Sequence, residues 1–281
     1  KMVGVGEGEN IVKSVARNLR DNKSLDNIPN LWIKKGNGQI IKNPPGSLMD
    51  VNIEIPDFSL FDHKRFLRPM GGRVFKTLPL ETFRGCPFQC TFCNSPMQVR
   101  FAKDNKLGNF LRTKNVDRIR INILDLIENY QPQYIYILDD SFLSRPKREL
   151  DAFIEMYSEF KIPFWFNTRP ESVNAEILKQ FIEIGLDRLS VGLEHGNFDF
   201  RKNVLKRNPS NETLLEHLEI IANSGVSFSI NNIIGFPTET REMIFETIEF
   251  NRLIRGFDAL TISIFTPYQG TELRELAIKE N

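Results

Sequence analysis

Apolar and polar positions follow a repeating order from about residue 76 onward. Short apolar runs alternate with longer stretches in which apolar residues recur every three or four positions, so strands are expected to alternate with amphipathic helices. The predicted strands are 75–82, 134–138, 164–167, 188–193, 227–234 and 259–265. The predicted helices are 116–130, 148–160, 175–184, 212–223 and 241–254, and another begins at Glu272.

Alternating strands and helices indicate right-handed βαβ crossovers and therefore a parallel sheet. Six such units form either an open doubly wound sheet or a partial barrel. In both architectures the functional residues collect at the carboxyl ends of the strands. The pattern thus predicts an α/β fold and indicates where its site lies.

The first 75 residues follow a different pattern. Residues 3–9 are typical of a strand end and a glycine turn, and helical spacing follows from Ile11 to Leu19. Asn37-Gly38 between two apolar runs predicts a β-hairpin, and a proline-punctuated connector follows it. A single strand–turn–helix unit cannot bury its own apolar face. Either it docks on the main domain, or it ends a domain that begins upstream.

Composition narrows the class of protein. The 281 residues are 41% hydrophobic and 26% charged, with a net charge of +1, which argues against disorder and against a protein that mainly coats nucleic acid or anionic membrane. No apolar run approaches the roughly 20 residues of a membrane-spanning helix, and the first ten residues lack a signal-peptide pattern. We therefore expect no membrane span and a cytoplasmic location.

All three cysteines lie in one eight-residue window, at Cys86, Cys90 and Cys93. An odd number packed so tightly is a poor disulfide framework and indicates a reducing compartment. Three thiolates on a short loop can ligate three corners of a 4Fe–4S cubane. One iron then keeps an open position, as in catalytic metal sites.

Two simpler interpretations of the cysteines stay open at this stage. One is a structural zinc site with a distant fourth ligand, although His63, His195 and His217 do not stand at zinc-finger spacing. The other is inert buried thiols, although three cysteines in eight residues do not follow the periodicity of a core.

The cysteine motif resembles that of the radical S-adenosylmethionine (radical SAM) superfamily. The resemblance rests on the spacing Cys-x3-Cys-x2-Cys, with Phe92 before the last cysteine, at the end of the first strand of a βα series. The longer string Glu-Thr-Phe-Arg-Gly-Cys-Pro-Phe-Gln-Cys-Thr-Phe-Cys, residues 81–93, is similar to the branch that carries a cobalamin-binding domain. The resemblance covers nearly the whole chain.

That resemblance implies a partial (βα)6 TIM-like barrel with an N-terminal linker and hairpin. Residues 1–23 would be the C-terminal remnant of a cobalamin-binding Rossmann-like domain, 24–75 a linker with the hairpin, and 76–281 the radical SAM core. The chain would then be a piece of a larger enzyme.

The implied cofactors are a 4Fe–4S cluster held by Cys86, Cys90 and Cys93, S-adenosylmethionine, and cobalamin. One electron, from a low-potential donor such as a flavodoxin or ferredoxin, would cleave S-adenosylmethionine to a 5′-deoxyadenosyl radical. The implied reaction is methylation or cyclisation at an unactivated carbon of a substrate that the sequence does not identify. Methylthio transfer is disfavoured, because that chemistry usually brings a second cluster and no cysteines remain.

The strand ends supply further candidates for holding S-adenosylmethionine. Asp139 and Asp140 follow the second barrel strand and could accept hydrogen bonds from the cofactor ammonium, although one of them could instead cap a helix. Arg169 follows the third strand and could clamp a carboxylate, or could instead balance Glu171.

The fourth and fifth strand ends carry segments similar to those of the superfamily. Gly192 would allow close backbone approach, and Glu194 would accept hydrogen bonds from the ribose hydroxyls. Gly235 and Pro237 would line the adenine, and Phe92 would adjoin the cofactor. Thr238 and Glu239 are expected at the start of the next helix.

Two alternative functions and one charged stretch complete the expectations. The chain could be a radical SAM enzyme that does not use cobalamin, or a non-catalytic iron–sulfur or zinc protein. Residues 99–120 contain seven Lys or Arg and two Asp, a local charge of 7 − 2 = +5. Such a stretch is usually a solvated face, so nucleic-acid binding is not expected.

Overall fold

A computed structural model of the chain describes residues 1–53 and 55–280. Its strands are β1 (Met2–Gly4), β2 (Leu31–Lys34), β3 (Ile40–Lys42), β4 (Leu67–Met70), β5 (Arg73–Leu80), β6 (Phe83–Arg84), β7 (Arg112–Thr113), β8 (Tyr134–Ile137), β9 (Phe164–Thr168), β10 (Leu186–Glu194), β11 (Ser227–Ile234) and β12 (Ala259–Ile264). Its α-helices are α1 (Glu9–Arg20), α2 (Ser95–Asp104), α3 (Val116–Tyr130), α4 (Lys147–Tyr157), α5 (Ala175–Glu183), α6 (Phe198–Asn203), α7 (Asn211–Ser224), α8 (Arg241–Leu253) and α9 (Glu272–Glu280).

Seven strands form one curled sheet in the order β12-β11-β10-β9-β8-β5-β4. Neighbouring strands from β5 to β12 pair in parallel, and β4 pairs antiparallel with β5 at the edge. The sheet is a half-barrel, so the predicted α/β partial (βα)6 barrel is confirmed. The carboxyl ends of its parallel strands meet at one rim.

The outer face of the half-barrel packs against the helices through an apolar core. On β9, Phe164 and Phe166 are fully buried in this core, whereas Trp165 and Asn167, which alternate with them, are half-buried on the opposite face. Phe181 of α5 makes edge-to-face contacts with both phenylalanines. Burial of each such side chain contributes about 1.5–3 kcal/mol, which holds the strands against the helix layer.

The inner face of the half-barrel is polar. Ser190 and Ser229 are hydrogen-bonded through their hydroxyl oxygens at 3.1 Å, and the Asn231 amide donates to Ser190 at 3.2 Å. The Asn167 amide donates to the Tyr136 hydroxyl at 2.9 Å. These contacts cross between strands, so they fix the strand register that carries the rim residues.

The N-terminal residues form a separate three-stranded antiparallel sheet in the order β1-β2-β3. Its apolar cluster consists of Ile11, Ile28, Leu31 and Ile33, and β2 and β3 form the hairpin expected around Asn37-Gly38. Because β1 pairs with β2, the segments expected as 1–23 and 24–75 share this sheet. None of the helices within the described ranges is long and apolar enough to cross a membrane.

Candidate active site

The three cysteines lie on the loop between β6 and α2, at the rim. The Cys90 side chain is buried, and those of Cys86 and Cys93 are half-buried. Ser95 at the start of α2 holds the loop from both ends. Its hydroxyl accepts the Cys86 N–H at 3.0 Å, and its own N–H donates to Cys93 Sγ at 3.4 Å. The hydrogen bonds thus fold the loop back on itself, with Ser95 joining its two ends.

Thr91 braces the same loop against two distant segments. Its hydroxyl donates to the Val204 carbonyl at 2.7 Å, and its N–H donates to the Leu205 carbonyl at 3.4 Å. The Leu273 N–H of α9 donates to the Thr91 carbonyl at 3.1 Å. The loop is therefore anchored to the turn after α6 and to the last helix.

Burial raises the pKa of all three thiols in this loop. Burial raises the pKa of Cys86 to about 11, and the nearby Cys90 and Cys93 add to the shift. Bound iron displaces such protons. In the described ranges no three His, Cys, Asp or Glu side chains, these thiols included, converge closely enough to hold a single metal ion. A polynuclear cluster instead takes one cysteine at each of several iron atoms.

Arg169, just beyond β9, lies over the cysteine loop. Its guanidinium is 3.8 Å from the ring centroid of Phe88, and it forms an ion pair with Glu171 at 2.6 Å. Arg169 Nε and Glu171 Oε2 are both buried without a partner in the described structure. A buried polar atom without a partner costs about 1–3 kcal/mol. These two atoms therefore fit a polar ligand beside the loop.

Gly192 and Glu194 at the end of β10 form a tight arrangement with Arg207. The guanidinium of Arg207 donates to Glu194 Oε1 at 3.3 Å and to the Gly192 carbonyl at 2.5 Å. A bulge lies between Gly192 and Glu194, and Glu194 has a φ of +72°. A Cβ atom on Gly192 would collide with the Glu194 carboxylate. Burial raises the pKa of Glu194, and the nearby Arg207 and Arg169 oppose that shift.

The adjacent carboxylates Asp139 and Asp140 have different surroundings. Asp139 is buried, and its oxygens accept hydrogen bonds from the Thr82 N–H and hydroxyl, the Phe83 N–H and the Arg145 guanidinium. A carboxylate has about four acceptor positions, so those of Asp139 are already used. Asp140 is exposed on the side of the cysteine loop, where its carboxylate interacts with Ser95.

His195 and Glu239 join the ends of β10 and β11. The Asn197 N–H donates to His195 Nδ1 at 3.1 Å, so the ring proton lies on Nε2, which donates to Glu239 Oε1 at 3.0 Å. The other oxygen of Glu239 accepts the N–H groups of Gly235 and Phe236 at 2.5 and 3.2 Å. Glu239 therefore shapes the loop that carries Gly235.

The helix α8 begins at Arg241, as the periodicity predicts, but its cap lies two residues after the expected Thr238. Thr240 caps α8 by accepting the Met243 N–H at 3.4 Å, and Thr238 takes a φ of +66° in the loop before it. The Phe92 ring packs 5.9 Å from that of Phe236, in the same loop as the half-buried Pro237. The predicted residues of the first, fourth and fifth strand ends thus lie along one rim.

Sequence reasoning missed Arg207, Ser95 and Phe88, each of which contacts a predicted site residue. Arg207 lies in a polar turn after α6, and only the chain path brings it to β10. Phe88 lies inside the cysteine window, but no spacing rule links it to Arg169. Ser95-Pro96 does carry a helix-start signal, which could have placed Ser95 next to the cysteine loop.

The basic stretch 99–120 does not present its charge as one open surface. Lys114 is buried, and the four arginines of the stretch bind other residues. The contacts are Arg100 with Glu272, Arg112 with Glu7, Arg118 with the Ile53 carbonyl, and Arg120 with Glu159.

A parallel half-barrel with a three-cysteine loop at its rim defines a class of cluster-binding barrel enzymes. Residues 80–250, more than half of the chain, match the sequence profile of the Radical SAM superfamily. The chain therefore belongs to the radical SAM superfamily, as expected from the cysteine motif. Members of this superfamily use a 4Fe–4S cluster and S-adenosylmethionine.

Curated relatives match along nearly the whole chain. An uncharacterized methyltransferase of Pyrococcus horikoshii is 29% identical, over 98% of this chain and 58% of that protein. Hopanoid C-3 methylase of Methylococcus capsulatus is 26% identical, over 95% and 48%. Anaerobic magnesium-protoporphyrin IX monomethyl ester cyclase of Cereibacter sphaeroides is 23% identical, over 95% and 43%. The chain spans about half the length of these relatives.

Two solved structures share the fold. The cobalamin-dependent S-adenosylmethionine radical enzyme OxsB, with aqua-cobalamin and S-adenosylmethionine bound, superposes with a TM-score of 0.69 at 18% identity, over 98% of this chain and 38% of that one. The radical S-adenosylmethionine methyltransferase TsrM from Kitasatospora setae, with cobalamin and a [4Fe-4S] cluster bound, gives 0.66 at 16% identity, over 97% and 53%.

Proposed function

We propose that this chain is the catalytic core of a cobalamin-dependent radical SAM enzyme that methylates or cyclises its substrate at an unactivated carbon. The observation that carries the proposal is the convergence at one rim of the cysteine loop, the buried Arg169 and the Gly192–Glu194–Arg207 arrangement. The thiolates of Cys86, Cys90 and Cys93 hold the cluster. When bound, the cluster would pass one electron from an external low-potential donor to S-adenosylmethionine, which would yield methionine and a 5′-deoxyadenosyl radical.

The rim residues divide the binding of S-adenosylmethionine among them. Arg169 accommodates the carboxylate of its methionine part, because its Nε is buried without a partner and its pKa is lowered by burial. Asp140 takes the ammonium group, whereas Asp139 supports the β5 end. Glu194 accepts hydrogen bonds from the ribose hydroxyls. Gly192 has no side chain, and this leaves room for the Glu194 carboxylate.

The adenine is assigned to the wall formed by Phe92 and the loop with Gly235 and Pro237. Phe92 and Phe236 form an apolar pair at this wall, and Glu239 fixes the loop backbone. Together these contacts hold the reacting carbon in place and exclude water, which is the contribution a protein makes to radical chemistry.

Anaerobic reconstitution tests the radical SAM assignment. With iron and sulfide, the purified protein should show 4Fe–4S absorption, and with a low-potential reductant it should form 5′-deoxyadenosine from S-adenosylmethionine. Cys86→Ala should lose both. Retention of the full cluster and of cofactor cleavage in Cys86→Ala would overturn the assignment, and one zinc without iron or sulfide would favour a non-catalytic metal protein.

Cobalamin dependence is supported by the Gly-Glu-Gly-Glu segment at residues 6–9 and by the cobalamin named for OxsB and TsrM. The test is binding of hydroxocobalamin to the purified protein, followed by its absorption spectrum. Cluster-dependent cleavage of S-adenosylmethionine by a protein that binds no cobalamin would favour a radical SAM enzyme of another type. The electron donor is proposed to be a flavodoxin or ferredoxin, and either should replace the chemical reductant.

A further inference from the structure

A carboxylate of the N-terminal segment reaches the barrel directly beside the cysteine loop. Glu7 lies in the turn between β1 and α1, and its side chain is only 10% exposed. Its Oε1 accepts from Arg84 at 2.9 Å, both its oxygens accept from Arg112, and Oε2 also accepts the Met49 N–H at 2.7 Å. Burial raises the pKa of Glu7, but the two arginines outweigh it and keep the net pKa below its usual range.

The two arginines that bind Glu7 face each other across a strand pair. Arg84 of β6 is the antiparallel partner of Arg112 of β7. Like charges in directly opposed positions destabilise a strand pair, most strongly where burial excludes water. Their side chains are 19% and 17% exposed, so solvent screens their repulsion poorly. Glu81 binds Arg84 through both of its carboxylate oxygens, and Glu9 contacts Arg84 at 2.8 Å, but among the described contacts Glu7 is the carboxylate that binds both arginines.

This strand pair sets the start of the cysteine loop. Arg84 is two residues before Cys86, with only Gly85 between them. Gly85 has a φ of +92°, and a Cβ atom there would come within 2.9 Å of Leu111, the residue before Arg112. The backbone that leads to Cys86 is therefore fixed by the same β6–β7 pair that Glu7 holds together.

We propose that Glu7 is a positioning residue for the cluster ligand Cys86. Its carboxylate keeps Arg84 and Arg112 together, and so makes the position of the loop depend on the N-terminal segment. The inference rests on the proposed function in one respect, namely that Cys86 binds an iron–sulfur cluster. The effect of Glu7 on the position of the loop does not depend on that cluster.

Thiol alkylation of the iron-free protein tests the proposal without any cofactor. Glu7→Gln keeps the size of the side chain and removes its charge. N-ethylmaleimide labelling followed by mass spectrometry should then show Cys86 reacting about five-fold faster or more, with Cys93 changed less than about two-fold. Glu9→Gln is the matched control, because Glu9 contacts the same Arg84 at 2.8 Å but is 35% exposed. It should leave both thiols within about two-fold of the parent protein.

A second variant distinguishes a loss of charge compensation from a general loss of folding. Glu7→Gln combined with Arg112→Gln removes the repulsion as well as its counter-charge, so protection of Cys86 should return to within about two-fold of the parent. An unchanged Cys86 rate in Glu7→Gln, or an increase that the second substitution does not reverse, would overturn the proposal. After reconstitution, Glu7→Gln should also shift the cluster's EPR signal while Glu9→Gln does not. A parent protein that binds no cluster would refute the proposed function, whereas the alkylation result would still decide the role of Glu7.

Discussion

Gly192 shows how closely a single residue controls the proposed ribose site. Gly192→Ala places a methyl group where the Glu194 carboxylate now lies, so Glu194 has to turn away. We expect the affinity of the reconstituted protein for S-adenosylmethionine to fall at least about ten-fold, which corresponds to about 1.4 kcal/mol. Equilibrium dialysis with labelled cofactor measures this loss.

The matched control is another glycine with space around it. Gly36 lies in the β-hairpin turn, and in the described part of the chain no neighbouring atom lies within 4 Å of the position that a methyl group would take there. Gly36→Ala should leave the affinity unchanged. Equal affinities for Gly192→Ala and the parent protein would contradict the assignment of Glu194 to the cofactor.

Asp139 has a structural role at the same scale. Burial raises its pKa, while its ion pair with the buried Arg145 opposes that shift. Asp139→Asn leaves the guanidinium buried without a counter-charge, which should destabilise the protein by about 3–5 kcal/mol. Urea unfolding of the iron-free protein measures the change.

The comparison for that prediction is an exposed ion pair of similar chemistry. Asp151 pairs with Lys147 on the surface of α4. Asp151→Asn should leave the urea midpoint close to that of the parent protein. If Asp139→Asn were equally mild, the carboxylate would not be fully used by its four donors and would be available to a ligand.

Among the elements, those with a long apolar stripe could be predicted from sequence. α3 begins and ends where the periodicity places it, and β11 does as well, because each buries one regular face. α2 and α6 were not predicted. α2 buries only Ser95, Pro96 and Ala102, and α6 is a single short segment of six residues, so neither carries a helical apolar pattern.

For the site as well, local features could be predicted from sequence, and contacts between distant segments could not. The cysteine loop and Gly192–Glu194 lie at strand ends that the alternation of elements locates. Arg207 reaches Glu194 through the turn after α6, and Glu7 reaches Arg84 across 77 positions of the chain. Contacts of this kind depend on the packing of the whole domain, and no local pattern in the sequence encodes them.

The loop between β11 and α8 depends on one side chain. Glu239 accepts the N–H groups of Gly235 and Phe236 and the proton of His195. Glu239→Ala leaves these donors without their partner, at a cost of about 1–3 kcal/mol. We expect the amide hydrogens of Gly235 and Phe236 to exchange about 10-fold faster or more, and hydrogen-exchange mass spectrometry resolves this segment.

Glu242 provides the reference for the loop. It lies in the first turn of α8, is exposed and does not contact the loop backbone in the described structure. Glu242→Ala should leave the exchange of residues 235–236 as it is in the parent. Faster exchange there in both variants would point to a general loosening of α8 and not to the loop contact.

At the scale of the whole molecule, the cysteine loop is where the separate parts of the chain meet. The N-terminal segment reaches β6, the strand that leads into the loop, through Glu7. The last helix, α9, contacts the loop through Leu273, and the barrel contacts it through Arg169. These contacts join segments that are far apart in the chain at one loop. Binding of the cluster and S-adenosylmethionine at this loop should consequently stabilise the entire domain.

The last prediction follows from this coupling and from binding linkage. S-adenosylmethionine at about 100 times its dissociation constant should stabilise the reconstituted protein by about 2.7 kcal/mol, because a ligand of the native state alone shifts the unfolding equilibrium. For a domain of this size the melting temperature should rise by roughly 5 °C in anaerobic differential scanning fluorimetry. Cys93→Ala, which removes one cluster ligand, should abolish most of that rise, whereas Gly36→Ala should keep it. An equal rise in the iron-free protein would mean that the rim residues bind the cofactor without the open iron, and the cluster would then not be its main anchor.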